Sequence, residues 1–133
     1  MNKEQLRNIA NVMVQKGKGI LAADESNPTC GKRFESIGVE LTELTRNTYR
    51  DLLFTTNGME EFISGVILFE ETLMQSTISD GTPFPQYLKK LGVIPGIKVD
   101  KGAKALASHS SEKITEGLDG LRERLSEYYK LGA

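Results

Sequence analysis

Three short apolar runs, each entered through glycine and stopped by charge, constrain this chain more than any other feature. Residues 17–26 read GKGILAADES, residues 65–71 read GVILFEE and residues 96–101 read GIKVDK. Runs this short, opened by glycine and closed by polar residues, read as strands buried on both faces. Their charged ends then matter, because parallel sheets place ligands beyond the C-terminal ends of their strands. Asp24, Glu25, Glu70, Glu71 and Lys98 would all be delivered to that end. The pattern suggests a catalytic mouth rather than a flat binding surface.

The stretches between the runs carry helical periodicity. Residues 3–15 place Leu6, Ile9, Ala10 and Met13 on one face, and Gly17 and Gly19 end that helix and open the first strand. Residues 27–38, NPTCGKRFESIG, read as a loop followed by a short helical turn. Thr42 caps a second helix, with Leu44, Thr48, Tyr49, Leu52 and Leu53 along one stripe and a break at Asn57-Gly58. Residues 79–85 are a loop by composition, and 86–91 allow a helix of two turns at most. The third strand follows Pro95, because proline is tolerated at a strand entry but not inside a central strand. A small-residue loop over 102–111 precedes a last helix carrying Ile114, Leu118, Leu121, Leu125 and Tyr128, with Gly132 as its C-cap. Helix, then strand–helix three times, implies parallel strands with right-handed crossovers. An open doubly wound sheet and a barrel both fit that order.

A chain of 133 residues has room for one domain. A net charge of -1, with the basic residues scattered, leaves no electrostatic footprint for nucleic acid or an anionic membrane. No apolar run approaches the roughly 20 residues a bilayer requires, and the amphipathic N-terminus lacks the apolar core of a signal peptide. The one cysteine, Cys30, excludes an internal disulfide framework and fits a reducing compartment, so the expected location is cytoplasmic.

Lys98, flanked by Ile97 and Val99 in a buried strand, is costly unless it faces a wet cavity or a counter-charge. It is either a functional lysine or half of an ion pair, with Glu70 or Glu71 as the acid on the adjacent strand. Asp24 and Glu25 stand where acids serve ligands, but acids there also cap turns or pair with bases. Ser26, Thr29, Lys32 and Arg33 lie together after the first strand, hydroxyls and cations suited to a phosphate near a helix N-terminus. The planar fork of Arg33 could bind it bidentately. Lys101 reads as an exposed bystander and Cys30 as buried filler. His109 has no second histidine, which disfavours a histidine-based metal site. Residues 17–22 match G-x-G-x-x-A, but here the glycines follow a helix and open a strand, the reverse of a dinucleotide fingerprint.

Six blocks, KGKGILAADES, GKRFESIGVE, YRDLLFTT, SGVILFEETL, GIKVDKG and TEGLDGLRERLSEY, follow one another in this chain. In identity and order they resemble class I fructose-bisphosphate aldolases, over essentially the whole chain. The resemblance implies the N-terminal part of a (β/α) barrel of eight strands. It implies cleavage of fructose 1,6-bisphosphate to dihydroxyacetone phosphate and glyceraldehyde 3-phosphate, without metal or other cofactor, through a lysine Schiff base. The protonated imine is the electron sink, and a carboxylate handles the protons. Asp24 then matches the family's strand-end aspartate, which assists carbinolamine and bond-cleavage steps, with Glu25 as a supporting acid. Lys98 matches the active-site lysine on the third strand, which binds substrate and sets charge around the imine. Ser26, Lys32 and Arg33 match positions lining the phosphate and sugar end, and Thr29 keeps a hydroxyl where better-known members carry serine. Residues 27–30, NPTC, depart from the animal enzymes and look closer to bacterial or plastid-type relatives.

The resemblance also implies an absence. The Schiff-base lysine, a second catalytic lysine, the main acid/base glutamate and the other phosphate loop lie on later strands of the family. A barrel needs ~250 residues, so residues 1–133 correspond to a single partial domain of about three βα units, ending before the fourth strand. Alone it is expected to lack retro-aldol activity and to leave a hydrophobic sheet edge unpaired. Full-length relatives are expected to be homo-oligomers acting on a sugar phosphate. A non-catalytic truncated product that binds phosphate or a protein is the alternative, separated by the reading frame beyond codon 133.

Overall fold

The structure is a computed structural model describing residues 2–133. The first helix, α1 (Lys3–Met13), starts at Asn2, whose side chain accepts from the Gln5 amide while the Gln5 side chain accepts from the Asn2 amide. Strands β1 (Gly19–Ala23), β2 (Ile63–Leu68) and β3 (Ile94–Ile97) form one parallel sheet in that order. Helices α2 (Asn27–Glu35) and α3 (Glu43–Phe54) and the single turn α4 (Met59–Phe62) connect β1 to β2. The short α5 (Glu70–Leu73) and α6 (Phe84–Lys90) connect β2 to β3. An antiparallel hairpin, β4 (Ala103–Leu106) with β5 (His109–Thr115), precedes the last helix, α7 (Leu121–Leu131).

Side chains alternate across a strand, so one face of the sheet meets the helices and the other does not. Ala23, Val66 and Leu68 point to the helical side, where they join Phe54, Leu73, Phe84, Leu88 and Tyr128 in one core. Phe54 and Phe84 meet edge to face with ring centroids 5.0 Å apart. The alternate positions of β1 are uncovered, and Ile20 is 48% exposed. Within the described residues β1 is therefore covered on one face, where strands buried on both faces were expected. Only β2, paired on both edges, is buried along most of its length, and among the described residues β1 has no neighbour on its outer edge.

The N-terminal end of the sheet is closed by α1. The Ser64 hydroxyl reaches the Met13 carbonyl at 2.8 Å and the Gly19 carbonyl at 3.2 Å. A Cβ on Gly65 would lie 3.2 Å from the Met13 methyl and 3.3 Å from the Ile94 carbonyl, so a side chain there would need both the Met13 tip and the β3 backbone to give way slightly. The opposite end stays open.

Several local expectations change. Residues 27–35 are helical from the outset, because Pro28 falls in the first turn, where its missing N–H costs nothing, and Cys30 and Phe34 are buried on its inner face. Thr42 caps α3 as its sequence predicts, but the inward line is the partly buried Arg46 and the buried Arg50 and Phe54, four apart; Leu44 and Leu52 are 68% and 67% exposed. Pro95 lies inside β3 rather than at its entry; the Lys98 amide donates to β2, so alternation turns the Pro95 nitrogen, three residues earlier, away from that ladder, and no β2–β3 hydrogen bond is lost. Lys98 follows β3 rather than lying within it, although its amide still donates to the Leu68 carbonyl at 2.9 Å. The loop expected over 102–111 is the hairpin, which takes Ile114 into β5; Leu118 precedes α7, and Gly132 caps that helix as expected. Among the described residues, no helix is long and apolar enough to cross a membrane.

Candidate active site

A cavity of about 720 Å³ opens at the C-terminal ends of the three strands, walled by Asp24, Glu25, Ser26, Thr29, Arg33, Phe69, Glu70, Lys98, Asp100 and Lys101, among others. Period-two alternation explains the meeting of its central pair: Ala22 and Asp24 leave β1, and Gly96 and Lys98 leave β3, on the uncovered face. Of the residues singled out from sequence, Lys32 alone among the proposed phosphate ligands is off this wall, exposed on α2. Lys101, read as a bystander, is on it. His109 stands exposed at the start of β5, outside the cavity.

Lys98 donates to the Asp100 carboxylate, whose other oxygen accepts the Gly102 amide at 3.0 Å. The Lys98 bond first, then that amide, holds Asp100 below the usual carboxylate range. The pair remains in reach of solvent, with side chains 25% and 34% exposed. Neither Glu70 nor Glu71 pairs with Lys98, because both belong to α5, which turns their side chains toward other bases. Glu71 takes Arg46 fork to fork, at 2.7 Å to Nε and 2.6 Å to Nη2. Glu70 takes Lys101 at 3.3 Å. Burial pushes Glu70 up, but the Tyr128 hydroxyl dipole and Lys101 outweigh it and leave the carboxyl lowered. Tyr128 Oη is buried and makes no hydrogen bond among the described residues, so its effect on Glu70 is that of a nearby dipole.

Glu25 anchors a second cluster. Arg50, with a side chain 2% exposed, donates through Nη2 to the Glu25 backbone carbonyl at 2.9 Å. The same nitrogen lies 3.0 Å from Glu25 Oε2, an ion pair off the axis of a hydrogen bond. Arg33 donates to Glu25 Oε1 and, at 2.7 Å, to Tyr49 Oη. The hydrogen bond to Glu25 is the main reason the Arg33 pKa rises further. The guanidinium of Arg50 lies 5.0 Å from the Tyr49 ring centroid. Arg33 is therefore parked on Glu25 while 52% exposed toward the cavity side. Cys30 is buried, with Sγ 3.6 Å from Arg50 Nη1.

Sequence reasoning missed Arg46, Arg50 and Asp100. The available signal was the i, i+4 line of Arg46, Arg50 and Phe54, two cations on a helix face that must meet strand-end acids. The anion-binding expectation has a concrete locus: the Ser26 and Thr29 hydroxyls lie 3.2 Å apart at the first turn of α2, and Ser26 makes no side-chain cap bond there. Among the described residues, no three His, Cys, Asp or Glu side chains converge as a metal site would require. What the cavity can do is hold an anion beside a carboxylate and a lysine, the needs of proton transfer on a phosphorylated small molecule.

A family profile described as "Fructose-bisphosphate aldolase class-I" matches residues 5–133. The chain is 58% identical over all 133 residues to a "Probable fructose-bisphosphate aldolase class 1" of Xylella fastidiosa, spanning 40% of that protein. It is 55% identical over 130 residues to "Fructose-bisphosphate aldolase 1, chloroplastic" of Chlamydomonas reinhardtii, spanning 34% of it. Among solved structures, a fructose-bisphosphate aldolase from Plasmodium falciparum, crystallised with TRAP and a small molecule inhibitor, superposes with a TM-score of 0.92. That match has 55% identity and covers 98% of this chain and 37% of that one. The chain thus spans between a third and two-fifths of the length of these relatives.

Proposed function

The chain belongs to the class I fructose-bisphosphate aldolase family, and on that premise we propose that the protein carrying it cleaves and re-forms fructose 1,6-bisphosphate. In this reading residues 1–133 supply three βα units of the barrel and half of the site. The lysine that forms the Schiff base belongs to family strands beyond them. That amine adds to the ketose carbonyl and water leaves. The protonated imine then takes the electron pair of the breaking carbon–carbon bond, giving an enamine and the aldehyde.

Asp24 handles protons during carbinolamine formation and bond cleavage from the end of β1. Lys98, tethered by Asp100, places positive charge against the sugar phosphate and beside the imine. The Ser26 and Thr29 hydroxyls at the start of α2 receive the phosphate, Arg33 turns from Glu25 to meet it, and Lys32 adds charge from outside the wall. We read the protein as a homo-oligomer, as its family relatives are expected to be, in a reducing, cytoplasmic setting; the unpaired Cys30 of this chain supports the reducing setting.

One observation carries the proposal: Asp24 and Lys98, from two strands, line one cavity together with paired hydroxyls at a helix start. Borohydride reduction of the protein in the presence of dihydroxyacetone phosphate and a chelator tests it. A covalent lysine adduct is expected, with Asp24→Asn and Lys98→Met slowing cleavage; no adduct, or cleavage abolished by the chelator, overturns it. A polypeptide ending at Ala133 is expected to form no adduct.

A further inference from the structure

Beyond the end of a parallel strand the backbone loses its ladder partners, and the direction of the exiting side chains is set by whatever holds the next carbonyl. Two such carbonyls follow Asp24 and Lys98. The Glu25 carbonyl accepts from Arg50 Nη2 at 2.9 Å, reached from α3. The Val99 carbonyl accepts from Arg124 Nη1 at 3.1 Å, reached from α7, while Arg124 Nη2 holds the Gly117 carbonyl at 2.6 Å. Arg124 makes no ion pair among the described residues and directs its guanidinium to main-chain oxygens. In both arginines Nε is buried without a hydrogen-bond partner. A guanidinium placed to satisfy its own donors would not leave the same nitrogen unpaired twice; one placed to hold a carbonyl would.

We propose that Arg50 and Arg124 are positioning residues, each clamping the carbonyl one residue beyond a candidate catalytic side chain, Asp24 and Lys98 respectively. The inference rests on the aldolase reading of the cavity for its consequence in turnover, and on geometry alone for the clamps. The second clamp is reinforced locally. The Lys101 amide donates to the Glu116 carbonyl at 2.8 Å, and a Cβ on Gly117 would lie 3.0 Å from the Val99 oxygen, so the returning backbone packs directly on the segment after Lys98. Lys98 is then aimed from behind by Arg124 and tethered in front by Asp100. Asp24 is aimed by Arg50, which also compensates Glu25.

The test compares the protein carrying this sequence with Arg50→Met, Arg50→Lys, Arg124→Met, Arg124→Lys and, as a control, Arg122→Met, an exposed arginine on the same helix. Three quantities are read: kcat and KM for fructose 1,6-bisphosphate, thermal midpoint, and the acylation rate of Lys98 by an amine-reactive reagent, followed by mass spectrometry. Arg124→Met is expected to lower kcat by about tenfold to a hundredfold, the scale of an ångström of misplacement, with KM changed far less. It should also speed Lys98 acylation severalfold. Arg50→Met should lower kcat and leave the Lys98 rate at the wild-type value, because it acts on the other strand. The lysine variants, with one donor nitrogen in place of a planar fork, should fall between. Where Arg50→Met does not fold, Arg50→Lys decides, and an undiminished kcat overturns the role of Arg50. Loss of thermal midpoint in Arg124→Met with wild-type kcat and Lys98 rate would reduce Arg124 to a structural residue; equal effects from Arg122→Met would do the same. A wild-type protein that fails to cleave the sugar bisphosphate sinks the aldolase reading alone, and the Lys98 acylation contrast still judges the clamp on β3.

Discussion

Glu25 has one partner in the protein interior and one half in water, and this asymmetry makes its replacement informative. Its own side chain is 9% exposed, that of Arg50 2% and that of Arg33 52%. Glu25→Gln keeps the shape and removes the charge, which leaves the Arg50 cation in the interior facing a neutral amide. Breaking a buried ion pair from one side costs about 3–5 kcal/mol, because the remaining charge has lost its compensation. Arg50 retains its 2.9 Å bond to the Glu25 carbonyl and its place beside the Tyr49 ring, so about 3 kcal/mol, the low end of that range, is expected. Arg33→Met removes the exposed partner of the same carboxylate and should cost about 0–1 kcal/mol. Urea unfolding at neutral pH measures both, as a fall in midpoint at unchanged slope. The double variant Glu25→Gln with Arg50→Met should be more stable than Glu25→Gln alone, since it no longer buries an uncompensated cation. Equal losses from Glu25→Gln and Arg33→Met, or a double variant whose losses simply add, would refute the claim that Arg50 is a desolvated charge.

Gly117 has φ +140°, and a Cβ there would lie 2.9 Å from the Asp100 Cα, so Gly117→Ala is expected to destabilise by about 1–3 kcal/mol from backbone strain and more from the clash, read as a lower urea midpoint. Asp80 is held at a pKa of about 2, chiefly by the Thr77 hydroxyl and then by the Thr82 amide. Its folded pKa lies below the unfolded value of about 3.9, so its contribution is present above that pH and disappears as pH falls toward 2; Asp80→Asn should flatten that part of the acid stability curve and leave the neutral range parallel. Cys30 is 1% exposed, so a thiol reagent such as dithiobisnitrobenzoate should titrate it only after denaturant is added.

The elements whose cause is local were legible from residue order. The first two glycine-bounded apolar runs are β1 and β2, the third overlaps β3 only at Gly96 and Ile97, Thr42 is the cap of α3 and Gly132 closes α7, because each depends on residues within a turn or two. The same holds for Asp24, which sits where a strand runs out, and for Lys98, too costly in an apolar setting to lack a wet cavity or an acid. Local signals also misled. Asn27-Pro28 resembles a turn but opens a helix, since proline is equally suited to both, and the small residues after Gly102 form a hairpin that no alternation announced.

Pairing was decided elsewhere. Which acid meets which base depends on helices crossing over strand ends: Arg46 lies 25 positions from Glu71, and Arg124 lies 25 positions from the Val99 carbonyl it holds. No periodicity links positions so far apart, and either glutamate after β2 could have served Lys98 until α5 turned both away. The burial of β1 was likewise not its own to set. An apolar run states that a strand can be covered; whether one face or two is covered depends on what the rest of the chain packs against it. Residue order therefore carried the strands and the chemistry at their ends, through short-range sterics and the cost of burying charge. The tertiary structure chose the partners and faces, because those are set by the packing of segments that residue order keeps apart.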